Sequence, residues 1–438
     1  MHLLCFPLTF FFTFYKLTLD LYHGPLHDNK KVLKMKPMTT VSGSRSLTPG
    51  YGFIHAFFWM AYAASTSYTS IYLLDAGFTN TQIGILIATV SLLSALLQPA
   101  TAAYADKPSS PSLKKIVIAC CVLFSALAVI LLLFGKRSAS LIILCYGGLV
   151  MINQLLIPLV NALGMQSINQ GKNLNFGLAR GCGSVAFAIA TYIIGIAVTA
   201  SGTTAAPIGA ILFSCLMILA VGKFPFEKGT VSGNSGEQKR SGPLNSLIYF
   251  FDHYRSFCYV LIGYVSICTC HMLLSNFTYQ IISTKGGGSA EAGTAMSLAA
   301  MAELPTMFFF GYLLKKASAA TWYKTASIFF VIKALGSLFA PNVITFYGVQ
   351  ILQCGAWALN TVSSVYYVNS VMDKQDAIKG QACMTMAFTL GNVVSALIGG
   401  PMIDHLGITS TLIFATVMGA IGMLIIWSNV KAPKLAKA

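Results

Sequence analysis

Apolar runs of about twenty residues, separated by short polar breaks, recur along almost the whole chain beyond residue 48. A helix climbs about 1.5 Å per residue, so each run is long enough to cross a hydrocarbon layer about 30 Å thick. The runs fall at 51–74, 82–105, 114–134, 139–163, 176–199, 204–222, 256–281, 290–314, 321–340, 343–368, 380–401 and 408–428. They predict twelve membrane-spanning helices, six on either side of a hydrophilic segment, 223–255. That segment is made of Gly, Ser, Asn, Lys and Glu and reads as a flexible linker. The expected fold class is an all-α polytopic membrane protein of two pseudo-symmetric six-helix halves, 48–222 and 256–430, with a tail at 431–438.

Residues 1–47 break this pattern. Met1 to Tyr15 is apolar but too short to span, and a basic stretch without periodicity follows. A signal peptide would need a basic leading region and a small-residue cleavage site, and neither is present. The expectation is a disordered N-terminal extension, with translation starting at Met35 or Met38.

Composition agrees with the spans. Of 438 residues, 56% are hydrophobic and 9% charged, and the mean hydropathy is +0.72; an average soluble domain is about 25% charged. A formal net charge of +16 raises the question of a nucleic-acid partner. The basic residues are spread over separate segments on one side of the predicted membrane, and only Lys136, Arg137 and Lys285 fall on the other. That is a topology signal, not a binding stripe, and it orients both termini to the cytoplasm in a cell membrane. The eleven cysteines lie mostly inside apolar runs, without metal-ligand spacing, and read as small buried hydrophobes.

Four polar residues stand deep within spans: Arg180, His271, Glu303 and Lys333. A guanidinium at bilayer depth is unfavourable by about 2.5–3.5 kcal/mol on insertion scales, and it cannot shed its charge. Arg180 is therefore expected to face a cavity, where it meets a solute or a structural partner. Glu303 is the one acidic residue of twelve placed deep within a span, and Pro305 follows it and frees backbone groups nearby. It serves either as a proton carrier or as a neutralising partner for Arg180 or Lys333. Lys333 is also able to snorkel along its own stem. His271 is either a satisfied neutral histidine or an auxiliary proton site, and His55 stands at interfacial depth. Tyr72, Phe187 and Trp357 offer stacking faces, or belong to packing alone.

Several stretches resemble the lactose permease branch of the major facilitator superfamily, the oligosaccharide:proton symporters, and their nucleoside and phenylpropionate relatives. One is Gly84 to Pro99 leading to Asp106-Lys107; a second is Asn175-Phe-Gly-Leu-Ala-Arg180-Gly-Cys-Gly183-Ser-Val-Ala-Phe187. Met301-Ala-Glu303-Leu and Lys333-Ala-Leu-Gly-Ser-Leu-Phe-Ala340 carry it into the second half. The resemblance implies the major facilitator fold, solute binding by Arg180 and Glu303, and conformational gating by Asp106 and Lys107. Departures accompany it. The acid on the fourth helix becomes Asn161, or Ala162 in an ungapped alignment, the stacking tryptophan of the fifth becomes Phe187, and the arginine of the ninth becomes Lys333. The lysine, histidine and glutamate of the tenth become Gln353, Ala356 and Leu359, while aspartates of the seventh become His271 and Leu274.

The reading that results is a secondary active carrier, expected to couple protons to a sugar or small oligosaccharide. Arg180, Asn161, Phe187, Tyr72 and Glu303 would contact the solute, Glu303 and His271 would carry the proton, and Lys333 would supply an auxiliary charge. With no carboxylate at 161, Arg180 is also free to hold an organic anion, and a nucleoside fits the same fold. A transport-inactive sensor or scaffold is the rival from another class. No enzyme arrangement rises above chance. The expected partners are a small-molecule solute and the lipid bilayer, with no nucleic acid, no metal and no cofactor beyond the coupling proton, and a monomeric carrier.

Overall fold

The computed structural model describes residues 46–106, 109–135, 138–226, 252–373 and 376–430. The N-terminal extension with its alternative starts, most of the linker, Lys107 and the C-terminal tail lie outside them. The described residues are helical throughout, and the expected runs of apolar sequence reappear as helices.

The first span is broken. Helix α1 (Thr48–Tyr62) passes through a π-helical turn, Ala63–Ser67, into α2 (Thr69–Asp75). The turn upsets the regular carbonyl pattern, and the later helix Ala139–Asn169 answers it: Tyr146 Oη donates to the Ser65 carbonyl at 2.7 Å, and Asn153 Nδ2 to Ser65 Oγ at 2.6 Å. Then follow α3 (Asn80–Asp106), α4 (Leu113–Phe134), α5 (Ala139–Asn169), α6 (Phe176–Ser201) and α7 (Ala205–Lys223), which complete the first half.

The second half repeats the scheme. Its first span is also interrupted, as α8 (Arg255–Asn276) and α9 (Thr278–Ser283) joined at Phe277. Next come α10 (Ser289–Lys316) and α11 (Ala319–Phe339). The tenth span is split by a 3-10 turn at Leu352–Cys354 into α12 (Val343–Ile351) and α13 (Trp357–Val371). Element α14 (Ala377–Asn429) contains the last two spans, turned at Gly407, whose φ of 78° is natural only to glycine. Eight helices among the described residues, α14 with its two spans among them, are individually long and apolar enough to cross a membrane; the split first and tenth spans and the unbroken α11 correspond to the rest of the twelve expected runs.

The two halves meet closely at the end of the bundle opposite the linker, called here the far end. One continuous apolar core there joins Ile71 and Leu73 of the first half to Phe277, Ile281 and Ala292 of the second. Nearer the linker, Phe257, Tyr323, Tyr367 and Met384 form a separate core within the second half. Glycines permit the contact: a Cβ on Gly84 would overlap the Ala396 carbonyl, and one on Gly400 the Asn80 carbonyl. Gly195 and Gly293 meet in the same way between α6 and α10.

Cross-half hydrogen bonds reinforce this closure. Asp404 accepts from Asn80 N and Nδ2 at 3.2 and 2.8 Å, and from Thr81 N and Oγ1 at 2.7 and 2.6 Å. Gln280 Nε2 donates to Asn80 Oδ1 at 2.8 Å, and Asn392 Nδ2 to Ser91 Oγ at 2.8 Å. Ser70 Oγ donates to the Asn276 carbonyl at 2.7 Å, where α8 ends.

The packing places His55 and corrects one expectation. His55 is 1% exposed, with its ring edge-on to Tyr51 at 4.8 Å and to Phe176 at 5.9 Å. These two aromatic rings enclose it where α1 packs on α6. Of the free cysteines, Cys121, Cys145, Cys268 and Cys270 are buried as expected, but Cys182 and Cys215 are exposed on helix faces.

Candidate solute-binding site

A cavity of about 420 Å³ lies between the halves. Helix α1 enters it with Trp59 and Tyr62, and Thr66 and Thr69 continue the same face through the π turn. Helix α6 contributes Arg180, Ser184 and Phe187 at helical spacing. From the second half come His271 and Asn276, then Glu303, Lys333, Gln353 and Trp357.

The charged groups are organised in two sets. On the second-half side, Lys333 donates to Gln353 Oε1, and Gln353 Nε2 donates to Glu303 Oε1 at 2.9 Å. An amide has one donor end and one acceptor end, so Gln353 links a cation to a carboxylate without direct contact between them. On the first-half side, Arg180 lies 4.3 Å from the centroid of the Trp59 ring, and its Nη1 donates to Ser184 Oγ at 3.1 Å. Arg180 and Glu303 both line the cavity, but among the described residues they form no ion pair.

His271 is 5% exposed and stacks on Trp357, with ring centroids 4.5 Å apart and planes 12° from parallel. Its Nδ1 is buried without a hydrogen-bond partner. Among the described residues no group of histidine, cysteine and carboxylate side chains is arranged to hold a metal ion.

The structure brings Arg180, Phe187, His271, Glu303 and Lys333 into one cavity. It does not bring Asn161 or Tyr72 there. Asn161 follows the cavity-lining Ile157 by one turn of α5 and is not part of the lining. Tyr72 is 7% exposed and packs on Tyr146 at 5.0 Å, within the first-half core. The pull of aromatic packing, not solute access, sets its position. Asp106 ends α3, while Lys107, its expected gating companion, lies outside the described residues.

Two residues that sequence reasoning left unassigned are central. Gln353 stood out only as the replacement of a lysine, yet it bridges both second-half charges. Trp59 carried no mark of its own, although the 59, 62, 66, 69 spacing gives one helical face of aromatic and hydroxyl residues within an apolar run.

Removing the Gln353 bridge leaves two buried ionic groups without their shared partner. Gln353→Ala is expected to destabilise the purified protein by about 3 kcal/mol, the scale for breaking a buried charge network. Thermal unfolding of the detergent-solubilised protein measures this, and an unchanged midpoint would remove the structural role of the bridge.

Two six-helix halves around a central polar cavity define a major facilitator-type secondary transporter. Residues 51–414 match the model of the MFS_1 like family, and the chain belongs to that family. Solved structures with the same fold include a point mutant of the nucleoside transporter NupG, at a TM-score of 0.74 and 12% identity, covering 87% of this chain and 98% of that one. An auto-inhibited POT family peptide transporter aligns at 0.67 and 11% identity, covering 90% and 99%. A bacterial homologue of the human lysosomal transporter Spinster, inward-facing and unoccupied, aligns at 0.61 and 12%, covering 90% and 98%. No curated protein sequence matches the chain.

Proposed function

We propose that the protein is a proton-coupled symporter of a small hydroxylated solute, a sugar or a nucleoside, working by alternating access. The observation that carries this reading is the placement of Glu303. It is the one carboxylate lining the cavity, and it faces the half that presents Arg180. Gln353 donates to one of its oxygens, and the carboxyl is left to take up and release a proton within the cavity as the halves rock.

Cavity size and lining support a solute of one or two rings. Phe187 and Trp357 supply flat faces, and Asn276, Gln350 and Ser275 supply hydrogen-bonding groups for hydroxyls. The resemblance of residues 175–187 to the oligosaccharide symporters favours a sugar, and the name of the NupG neighbour adds the nucleoside. The positive-inside bias supports the reading that the linker and both termini lie on the cytoplasmic side of a cell membrane. The far-end closure then corresponds to a carrier closed to the outside.

One observation favours a second reading, an organic anion. Arg180 has no carboxylate within ion-pair distance among the described residues, and the cavity holds two cations, Arg180 and Lys333, against one carboxylate. A carboxylate-bearing solute would meet the guanidinium bidentately. Proteoliposomes under an inwardly directed proton gradient decide between these, using labelled melibiose, uridine and 3-phenylpropionate. Gradient-dependent uptake of melibiose or uridine is the expected result. Uptake of 3-phenylpropionate alone would replace the first reading with the second, and gradient-independent uptake would remove proton coupling.

A further inference from the structure

Trp59 is held in place by packing alone. Its ring is edge-on to Phe58 at 5.3 Å and 76°, and to Phe187 at 6.3 Å and 82°. A Cβ on Gly183 would stand 2.5 Å from Trp59 Cδ1 and 3.3 Å from the His55 carbonyl oxygen, so the indole occupies the room that glycine leaves on α6. The indole Nε1 is buried there without a hydrogen-bond partner. No hydrogen bond locates this ring, yet its face carries the one guanidinium that lines the cavity.

That contact restricts what Arg180 can do. All guanidinium donors lie in the plane of the group. The indole lies against the guanidinium carbon on one side, and Ser184 takes one nitrogen. The side held by the indole is thereby closed to the solute, and the N–H groups not taken by Ser184 are left for acceptors in the cavity. A ring or hydroxyl approaching from the indole side finds the indole instead.

We propose that Trp59 is a specificity-determining residue of this carrier, fixing the side from which Arg180 meets the acceptors of the solute. It acts as a positioning residue, with Gly183 as its seat. The proposal rests on the reading that Arg180 contacts the solute.

Modification of Arg180 by phenylglyoxal, followed by peptide mass spectrometry on the reconstituted full chain, tests this whatever the solute. Trp59→Leu is expected to speed modification about fivefold, and Trp59→Phe, which keeps an aromatic face, to stay near the unaltered rate. Gly183→Ala keeps both partners but displaces the indole, and it is expected to behave like Trp59→Leu. Protection by melibiose, uridine and 3-phenylpropionate is then compared. The unaltered protein is expected to rank the three, and Trp59→Leu to flatten that ranking while Trp59→Phe restores it.

Equal modification rates in the unaltered and Trp59→Leu proteins would overturn the proposal. Faster modification with an unchanged ranking would leave Trp59 as packing only, and overturn it as well. Absence of protection by every solute in the unaltered protein would instead remove Arg180 as a solute contact, and the present proposal with it.

Discussion

Proteoliposomes containing Glu303→Gln are expected to lose accumulation driven by a pH gradient while still exchanging solute across the membrane at equal concentrations. One proton coupled to one solute across one pH unit stores about 1.4 kcal/mol, enough for roughly tenfold accumulation. The glutamine variant should fall to no accumulation at all. The substitution keeps the shape of the side chain and its hydrogen bond from Gln353 Nε2. It removes the exchangeable proton and the charge that answers Lys333 through the same amide. Exchange at equal concentrations needs only that the loaded carrier change conformation, so it separates coupling from binding. If Glu303→Gln accumulated solute as well as the unaltered protein, the proton would travel by another group. His271, stacked on Trp357 in the same cavity, would be the next to test.

Asp404→Ala is expected to open the far end. Four hydrogen bonds converge on this one carboxylate, two of them from backbone N–H groups at the start of α3. An anion at a helix N-terminus also interacts favourably with the helix dipole. At a water-exposed site these contacts together contribute about 1–2 kcal/mol, so their loss shifts the balance of closed and open forms about tenfold. A cysteine placed at Ser275, inside the cavity, reports this shift when the native cysteines are replaced. Its labelling by a membrane-impermeant maleimide from the far-end side should rise by that factor. Labelling at an unchanged rate would mean that the glycine contacts alone hold the closure.

Fold and site differ in how far the residues disclose them. Apolar length determines a span, because a helix must satisfy its own backbone inside lipid, and so the long helical runs were readable. The internal breaks were not. The π turn at Ala63–Ser67 depends on Tyr146 and Asn153 arriving from another helix, and nothing in the local sequence announces them. Within the site, the expense of a charge in lipid marked Arg180, Glu303 and Lys333, and all three line the cavity. Neutral residues carry no such mark. Tyr72 and Trp59 both lie in the first span, yet the tyrosine packs inward on Tyr146 while the tryptophan underlies Arg180. Gln353 could be seen as a departure from a pattern, but its bridging role depends on which helices meet. Of the partners open to Glu303, Arg180 is not the one taken: Gln353 of the tenth span donates to the glutamate, and Arg180 stands in a separate arrangement with Trp59 and Ser184.

The glycine contacts between α3 and α14 have a consequence for the energetics of the membrane. Backbone lies on backbone where Gly84 meets Ala396 and Gly400 meets Asn80. A carrier sealed in this way while it waits for its solute is expected to act as an insulator, conducting neither protons nor ions between turnovers. A single methyl group at either glycine would be felt first as a standing leak that discharges the gradient, before any change in what the carrier binds.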